Sequence, residues 1–343
     1  MQPLWARYPN PLDKNEVRGS NYGVYDFFKD QSRRPDSLLD ADTVTKAMNS
    51  MGNTVQIPVL DAENVTISNT RSCTIPTDDE TSNLVTLTFT TYSFGFTMAP
   101  ARHFNNEVSY QALFNKKLME YLIKLAKTLD TAGKNVLENN KNAYFPSNIT
   151  NYYAEVAGAL QVSQAKRDDF FNQLQAIAEE MDYPGDLNVI GSTSYKPMVN
   201  RLRSQGAGNQ SNEQFQFPPY TWYNSNRITN GAGIQSTLYM VPDGNVHMVN
   251  RNTPDHMMNH KIADFKEWGT SRMPIVDLVM GTYYTKDCGD MKTADGGGSR
   301  MAHLERTLVE GFVFDTDVCF ITAYNSDTAN TFSPILKAEI SAT

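Results

Sequence analysis

Few residues in this 343-residue chain stand at spacings that support chemistry. Ser163 and Lys166 have the Ser-x-x-Lys spacing of a nucleophile beside an amine base. They fall in a polar helical stretch with Arg167, Asp168 and Asp169, which reads as a solvated face rather than an acyl-transfer site. Asp255-His256 and His260 would put two metal ligands on one helical face, but Pro254 precedes them and no third ligand is evident. Gly296-Gly297-Gly298 before Ser299-Arg300 has the backbone of a phosphate cradle without the strand–loop–helix and lysine that would make it one, so a flexible surface loop is expected. Cys319 alternates with apolar residues and reads as a small core hydrophobe. The Tyr, Phe and Met content could line a ligand pocket, yet at strand and helix spacing it marks core or interface. There is no P-loop, Gly-x-Ser-x-Gly elbow, His-Glu-x-x-His or paired Cys-x-x-Cys. No catalytic, cofactor-binding or metal-ligating residue is therefore assigned, no cofactor is expected, and the chain is not expected to be an enzyme. The rival from another class is a hydrolase or metal-binding enzyme working through Ser163/Lys166 or His256/His260.

Composition narrows the field further. A hydrophobic content of 40% supports a core, and no run of 18 apolar residues indicates a membrane span. The net charge of −8 argues against a surface that grips nucleic acid throughout. Only the first 34 residues lean basic, through Arg7, Lys14, Arg18, Lys29, Arg33 and Arg34, and a solvated arm accounts for that tilt. Met1 to Arg7 lacks the basic and apolar regions of a signal peptide. Cys73, Cys288 and Cys319 are odd in number and scattered, which indicates a reducing compartment without a disulfide framework. Asn64-Val-Thr66 and Asn148-Ile-Thr150 match the glycosylation pattern by chance on this reading.

The elements that would position any site form an α+β pattern. Residues 1–35 are expected as an arm, with a short helix from about Ser37 to Met51. Val55, Ile57 and Val59 alternate with Thr54, Gln56 and Pro58 in a first strand, and Pro58 fits an edge position. Leu84 to Met98 reads as a longer second strand whose apolar phase slips, from Val85, Leu87 and Phe89 to Tyr92, Phe94, Phe96 and Met98. A one-residue slip flips every side chain, so a bulge or twist is expected where this ribbon leaves its domain. Tyr110, Phe114, Leu118, Leu122, Leu125 and Leu129 then recur at helical spacing, predicting a helix from about Asn106 to Leu129, with Gly133 and the Asn-rich Asn139-Asn140-Lys141-Asn142 suggesting its end or a kink. A second helix is expected over Ala154 to Met181, a buried strand at Leu187 to Ile190 and helical turns over Lys196 to Arg203. Strands at Thr237–Val241 and Val246–Val249 flank the turn Pro242-Asp243-Gly244. Val276 to Tyr284 and Gly311 to Tyr324 close the chain as strands, the latter alternating Phe312, Phe314, Val318 and Phe320 with Asp315, Asp317 and Cys319. A two-stranded ribbon has too little core to stand alone in water, so it is expected to pack on another copy of the chain.

This order of arm, extended two-strand loop, long helix, α/β domain and late returning strand resembles the Hong Kong 97-type major capsid proteins of tailed bacteriophages. Gly52 to Leu60, Leu187 to Ser192, Ser225 to Gly231, Tyr239 to Arg251 and Glu310 to Asp315 are similar to the version carried by phages of Bacteroidetes hosts. The resemblance spans nearly the whole chain and implies a domain plan: an N-terminal arm (1–50), an extended loop (51–100), a peripheral domain with a spine helix (101–149 and 261–343) and an axial domain (150–260). It implies a virion capsid location after assembly in the host cytoplasm, hexamers and pentamers of one subunit, weak inner-face contact with packaged double-stranded DNA, and portal, scaffolding or decoration proteins as partners. The encapsulin nanocompartment shell, of the same fold, is the alternative. Some family members begin with a helical scaffolding domain; with the loop starting near residue 51, none is expected here. The founding member cross-links a loop lysine to a neighbour's asparagine, whereas this chain has no lysine between Lys46 and Lys116.

Overall fold

The computed structural model describes residues 22–50, 52–60, 82–100, 107–183, 186–207, 220–252, 261–263, 266–292, 304–323 and 333–342. The helices are α1 (Gly23–Ser32), α2 (Ala41–Asn49), α3 (Glu107–Asn139), α4 (Ser147–Thr150), α5 (Arg167–Glu180) and α6 (Lys196–Ala207). The strands begin with β1 (Thr54–Leu60), β2 (Ser82–Thr88), β3 (Thr90–Met98), β4 (Ala154–Val156), β5 (Ala159–Val162), β6 (Leu187–Ser192) and β7 (Thr221–Ser225). They continue with β8 (Ile234–Pro242), β9 (Val246–Arg251), β10 (Lys261–Ala263), β11 (Lys266–Arg272), β12 (Val279–Lys292), β13 (Leu304–Thr322) and β14 (Leu336–Ser341). The class is α+β, and the described residues divide into two compact units.

One unit joins Phe89–Leu129 to Asn250–Val318. Its sheet follows the antiparallel order β10–β11–β12–β13–β3. Register sets Phe312 opposite Phe96 and Phe314 opposite Phe94. The first half of α3 lies on these rings: Phe114 meets Phe312 edge-on at 4.9 Å and Tyr121 stacks on Phe94 at 5.3 Å. Aromatic pairs of this kind contribute about 0.5–1.5 kcal/mol each beyond area burial. Glu310 collects Tyr110, Tyr284 (3.0 Å) and Lys286 (3.5 Å) beside them. Burial and this carboxylate push the Tyr284 hydroxyl up to about 12.

The other unit contains Asn21–Thr88, Asp130–Val249 and Cys319–Thr343. Its main sheet has the order β4–β5–β14–β8–β6–β7, with β14–β5 and β6–β7 parallel and the remaining pairs antiparallel. Phe170, Phe171 and Leu174 of α5 bury against Leu160, Val162, Val189, Leu238, Leu336 and Ile340 of that sheet. The closing strand β14 was not expected from the sequence, although Leu336, Ala338 and Ile340 alternate on one face. It pairs with β5 and β8, so the end of the chain belongs with the sheet of the 150–260 region.

Three expectations are corrected by packing. The described part of the N-terminal segment, expected as an arm, contains helix α1, whose Val24, Tyr25, Phe27 and Phe28 are buried. Of the two places suggested for its end, helix α3 passes through Gly133 and stops at Asn139, past the expected Leu129, running 33 residues or roughly 50 Å at ~1.5 Å per residue. A Cβ at Gly133 would sit 3.1 Å from Val24 Cγ1 and 3.3 Å from the Phe28 ring, so the missing side chain is what admits α1 against the helix. Ala154 to Val162 is not helical; it is the hairpin β4–β5. Ala157 (φ 52°) and Gly158 (φ 74°) take left-handed conformations in its turn, and Asn142 O would lie 2.8 Å from a Cβ at Gly158.

Asp130 joins three distant segments of this unit. It is fully buried on α3, and its Oδ1 accepts from the backbone N–H groups of Val24 (2.9 Å) and Tyr25 (3.0 Å), the first turn of α1. The α1 N-cap residue, Tyr22, contributes no side-chain cap of its own, so the carboxylate caps the helix from another element. Oδ2 accepts from Ser225 Oγ and lies 3.6 Å from Arg227. Burial pushes the Asp130 carboxyl above its ordinary range, opposed by Ser225, the two backbone donors and Arg227. Asp130→Ala is expected to destabilise this unit by about 3 kcal/mol, since the Arg227 charge and two helix N–H groups lose their acceptor. Asp130→Asn, which keeps an acceptor oxygen, is expected to cost less. Urea denaturation of the three proteins measures the order.

Candidate assembly surface

The ribbon β1–β2 is a two-stranded antiparallel sheet of its own. Register pairs Val55 with Leu87 and Ile57 with Val85, which places these four side chains on one face, while Thr54, Gln56, Thr86 and Thr88 occupy the other. Leu87 is buried and Val55, Ile57 and Val85 are half-buried. On the opposite face Leu84 is 61% exposed. The described ribbon residues 52–60 and 82–88 contain no charged side chain. Exposed edges are normally blunted by charge, proline or a bulge, and among the described ribbon residues only Pro58 serves that purpose.

The expected phase slip falls at Phe89, where the extended chain breaks: β2 ends at Thr88, paired with β1, and β3 starts at Thr90, paired with β13. Phe89 is buried, with the Arg251 guanidinium 4.0 Å from its ring centroid. Arg251 and Asp317, both buried, form an ion pair at 3.1 Å. Thr91 Oγ1 donates to the second Asp317 oxygen at 2.6 Å. Asn250 donates to Thr316 Oγ1 (2.6 Å) and accepts from Val279 N (3.0 Å), which fastens the same corner. Asp317 was expected on the polar face of its strand. It is buried because Arg251, 66 residues earlier, supplies its counter-charge.

The residues singled out for chemistry do not converge. Lys166 donates to Tyr152 O at 2.5 Å and lies 4.0 Å over the Tyr152 ring, while Ser163 is exposed at the head of the turn before α5. Cys319 is buried in β13. Asp255, His256, His260, Cys73 and Gly296 to Arg300 lie outside the described residues, as does the Cys288 side chain. Among the described residues no group of three or more His, Cys, Asp or Glu could hold a metal ion, and no helix is long and apolar enough to cross a membrane. The strongest charge cluster is structural. Burial opposes the charge of Glu138, yet donors from Lys141 (2.7 Å), Tyr239 and Lys337 (3.2 Å) hold its carboxyl down at about 2.

No protein-family model matches the sequence, and no curated protein does. The chain is similar to solved structures of phage proteins. It is 10% identical to a chain of Mycobacterium phage Che8, covering 97% of this chain and 95% of that one, with a TM-score of 0.48. The asymmetric unit of the bacteriophage PhiM1 mature capsid is 10% identical over 98% of this chain and 91% of its own, with a TM-score of 0.47. The Cyanophage Pam1 capsid asymmetric unit is 10% identical over 98% of both chains, also at 0.47.

Mild acid should weaken the subunit through a buried histidine. His247 on β9 is buried, its Nδ1 has no hydrogen-bond partner among the described residues, and burial lowers its pKa from 6.5 to about 4. The unfolded chain takes up this proton near pH 6.5 and the folded one resists until about pH 4, so stability is full above pH 6.5 and falls as pH drops through that window. The loss is on the order of 3 kcal/mol. His247→Gln should flatten the dependence between pH 6.5 and 4 in denaturation midpoints.

Proposed function

We propose that this chain is a structural subunit that self-assembles into the icosahedral shell around the double-stranded DNA of a tailed bacteriophage. The observation that carries the reading is the uncharged β1–β2 ribbon, whose half-exposed apolar face and edges, without a further strand among the described residues, call for a partner that a second copy would supply. The order of ribbon, long helix and returning strands agrees with the Hong Kong 97-type resemblance met in the sequence. In this reading β1–β2 is the loop that reaches over a neighbour, and α3 is the spine helix. Residues 150–260 form the axial domain at five- and six-fold axes. Residues 101–149 and 261–343 form the peripheral domain, less β14, which pairs with β5 and β8. Subunits gather as hexamers and pentamers in the host cytoplasm, with portal, scaffolding or decoration proteins as further partners and weak contact with DNA at the inner face.

Two measurements test this. Because β3 belongs to the sheet with β13, a clean excision of the ribbon stops short of Phe89. Replacing Thr54–Leu87 with a short Gly-Ser linker should leave a soluble, folded subunit that forms no shells; normal particles from this variant would overturn the proposal. The shell should also be held without covalent links between subunits. An isopeptide bond needs a nucleophilic amine on the loop; the chain has no lysine between Lys46 and Lys116, and the guanidinium of Arg71 stays protonated. Particles boiled in SDS and reductant should run as one band near 38.5 kDa. A ladder of surviving multimers would contradict the assignment of the ribbon as that loop.

A further inference from the structure

Phe89 is the single residue between the ribbon strand β2 and the sheet strand β3, and it carries the buried guanidinium of Arg251 on its ring. Burying an ion pair removes two charges from water, and well-packed apolar residues of similar volume commonly serve stability as well or better. What apolar residues cannot reproduce is direction. A guanidinium is planar and its hydrogen bonds run along fixed vectors, so Asp317 sets its plane and that plane sets where the Phe89 ring can lie. Thr91 ties the next turn of the same strand to the same carboxylate. Phe89, Thr91, Arg251 and Asp317 therefore fix the backbone on the sheet side of the point where the extended chain changes partners.

We infer that Arg251 and Asp317 are positioning residues for assembly: they hold the chain from Phe89 to Thr91, where β3 begins just after the ribbon strand β2, in one conformation, so that fewer backbone and side-chain freedoms remain to be frozen when a second copy of the chain binds the ribbon. The inference rests on the shell-forming function proposed above. Its physical basis is the ordering cost of association, which grows with every backbone and side-chain freedom that binding has to freeze. A loosened root leaves the contacts of the ribbon available and raises the cost of making them.

The test compares purified full-length variants by thermal melting and by the concentration at which particles appear in sedimentation and negative-stain microscopy. Phe89→Leu keeps an apolar side chain and removes the ring; Thr91→Val keeps shape and removes the donor to Asp317. Met273→Ala, at a buried position of the same unit, supplies a control for loss of stability alone. Phe89→Leu and Thr91→Val should raise the assembly concentration about tenfold or more at a melting loss no greater than that of the control. The double replacement Arg251→Met/Asp317→Leu should melt close to the parent and still assemble poorly. If it melts normally and assembles normally, or if the assembly defects of Phe89→Leu and Thr91→Val follow melting loss along the line set by Met273→Ala, the pair is a stabiliser only and the inference is overturned. Should the double replacement not fold, the two single variants decide the matter. The ribbon excision separates this from the underlying reading: shells from the excised protein overturn the function itself, whereas shells lost on excision but retained in the root variants overturn only the positioning role.

Discussion

A two-stranded ribbon in water has no second layer on which to bury its apolar face, and hairpins of this size are marginally stable at best. The β1–β2 ribbon meets that constraint with Val55, Ile57, Val85 and Leu87 on one face and uncharged residues throughout its described length. A ribbon meant to remain solvated would carry lysines or glutamates along its edges, as exposed strands generally do. Leu87 is already buried within the chain, and the half-exposed remainder of that face, Val55, Ile57 and Val85, makes most sense when a second copy completes its cover. The shell-forming account follows from this requirement.

Rigidity in both units comes from apolar packing organised around a small number of buried charges. Asp130 gathers the first turn of α1, the end of β7 and Arg227 onto one carboxylate. Arg251 and Asp317 do the same for the corner at Phe89 and Thr91. Each node links residues far apart in the chain, 106 positions between Val24 and Asp130 and 66 between Arg251 and Asp317. A buried charge whose partner is removed is strongly destabilising, so each node penalises arrangements in which those segments fail to meet. They specify which segments converge more than they add net stability.

Much of the architecture could be read from periodicity because periodicity reflects which face is buried. The apolar repeat from Tyr110 to Leu129 marks the helix, and the slip between Phe89 and Tyr92 marks the place where the strand changes sheets. The turn Pro242-Asp243-Gly244 between β8 and β9 was legible, and its glycine takes φ 77°, but the strands it joins do not form a hairpin among the described residues: β8 pairs with β14 and β6, and β9 with β13. What escaped depends on tertiary neighbours. Gly133 looked like a helix terminator because its role, admitting Val24 and Phe28, lies in another helix. The hairpin β4–β5 passed for helix because its strands are only three and four residues long. Asp317 stood opposite the phenylalanines in the alternation of its strand and Asp130 carried no signal of its own, since no local pattern distinguishes an aspartate facing water from one facing a distant arginine or helix end. The β1–β2 ribbon was legible in outline, since a lysine-free extended stretch is visible in the sequence, but the Arg251–Asp317 pair beside Phe89 was not.

The central claim concerns what copies of this chain do together, and electron microscopy of the purified, expressed protein addresses it most directly. The account predicts closed, uniform shells built from this subunit, with sedimentation at the mass of many copies. A solution of dispersed monomers or small oligomers, under conditions where the subunit is folded and concentrated, would contradict it.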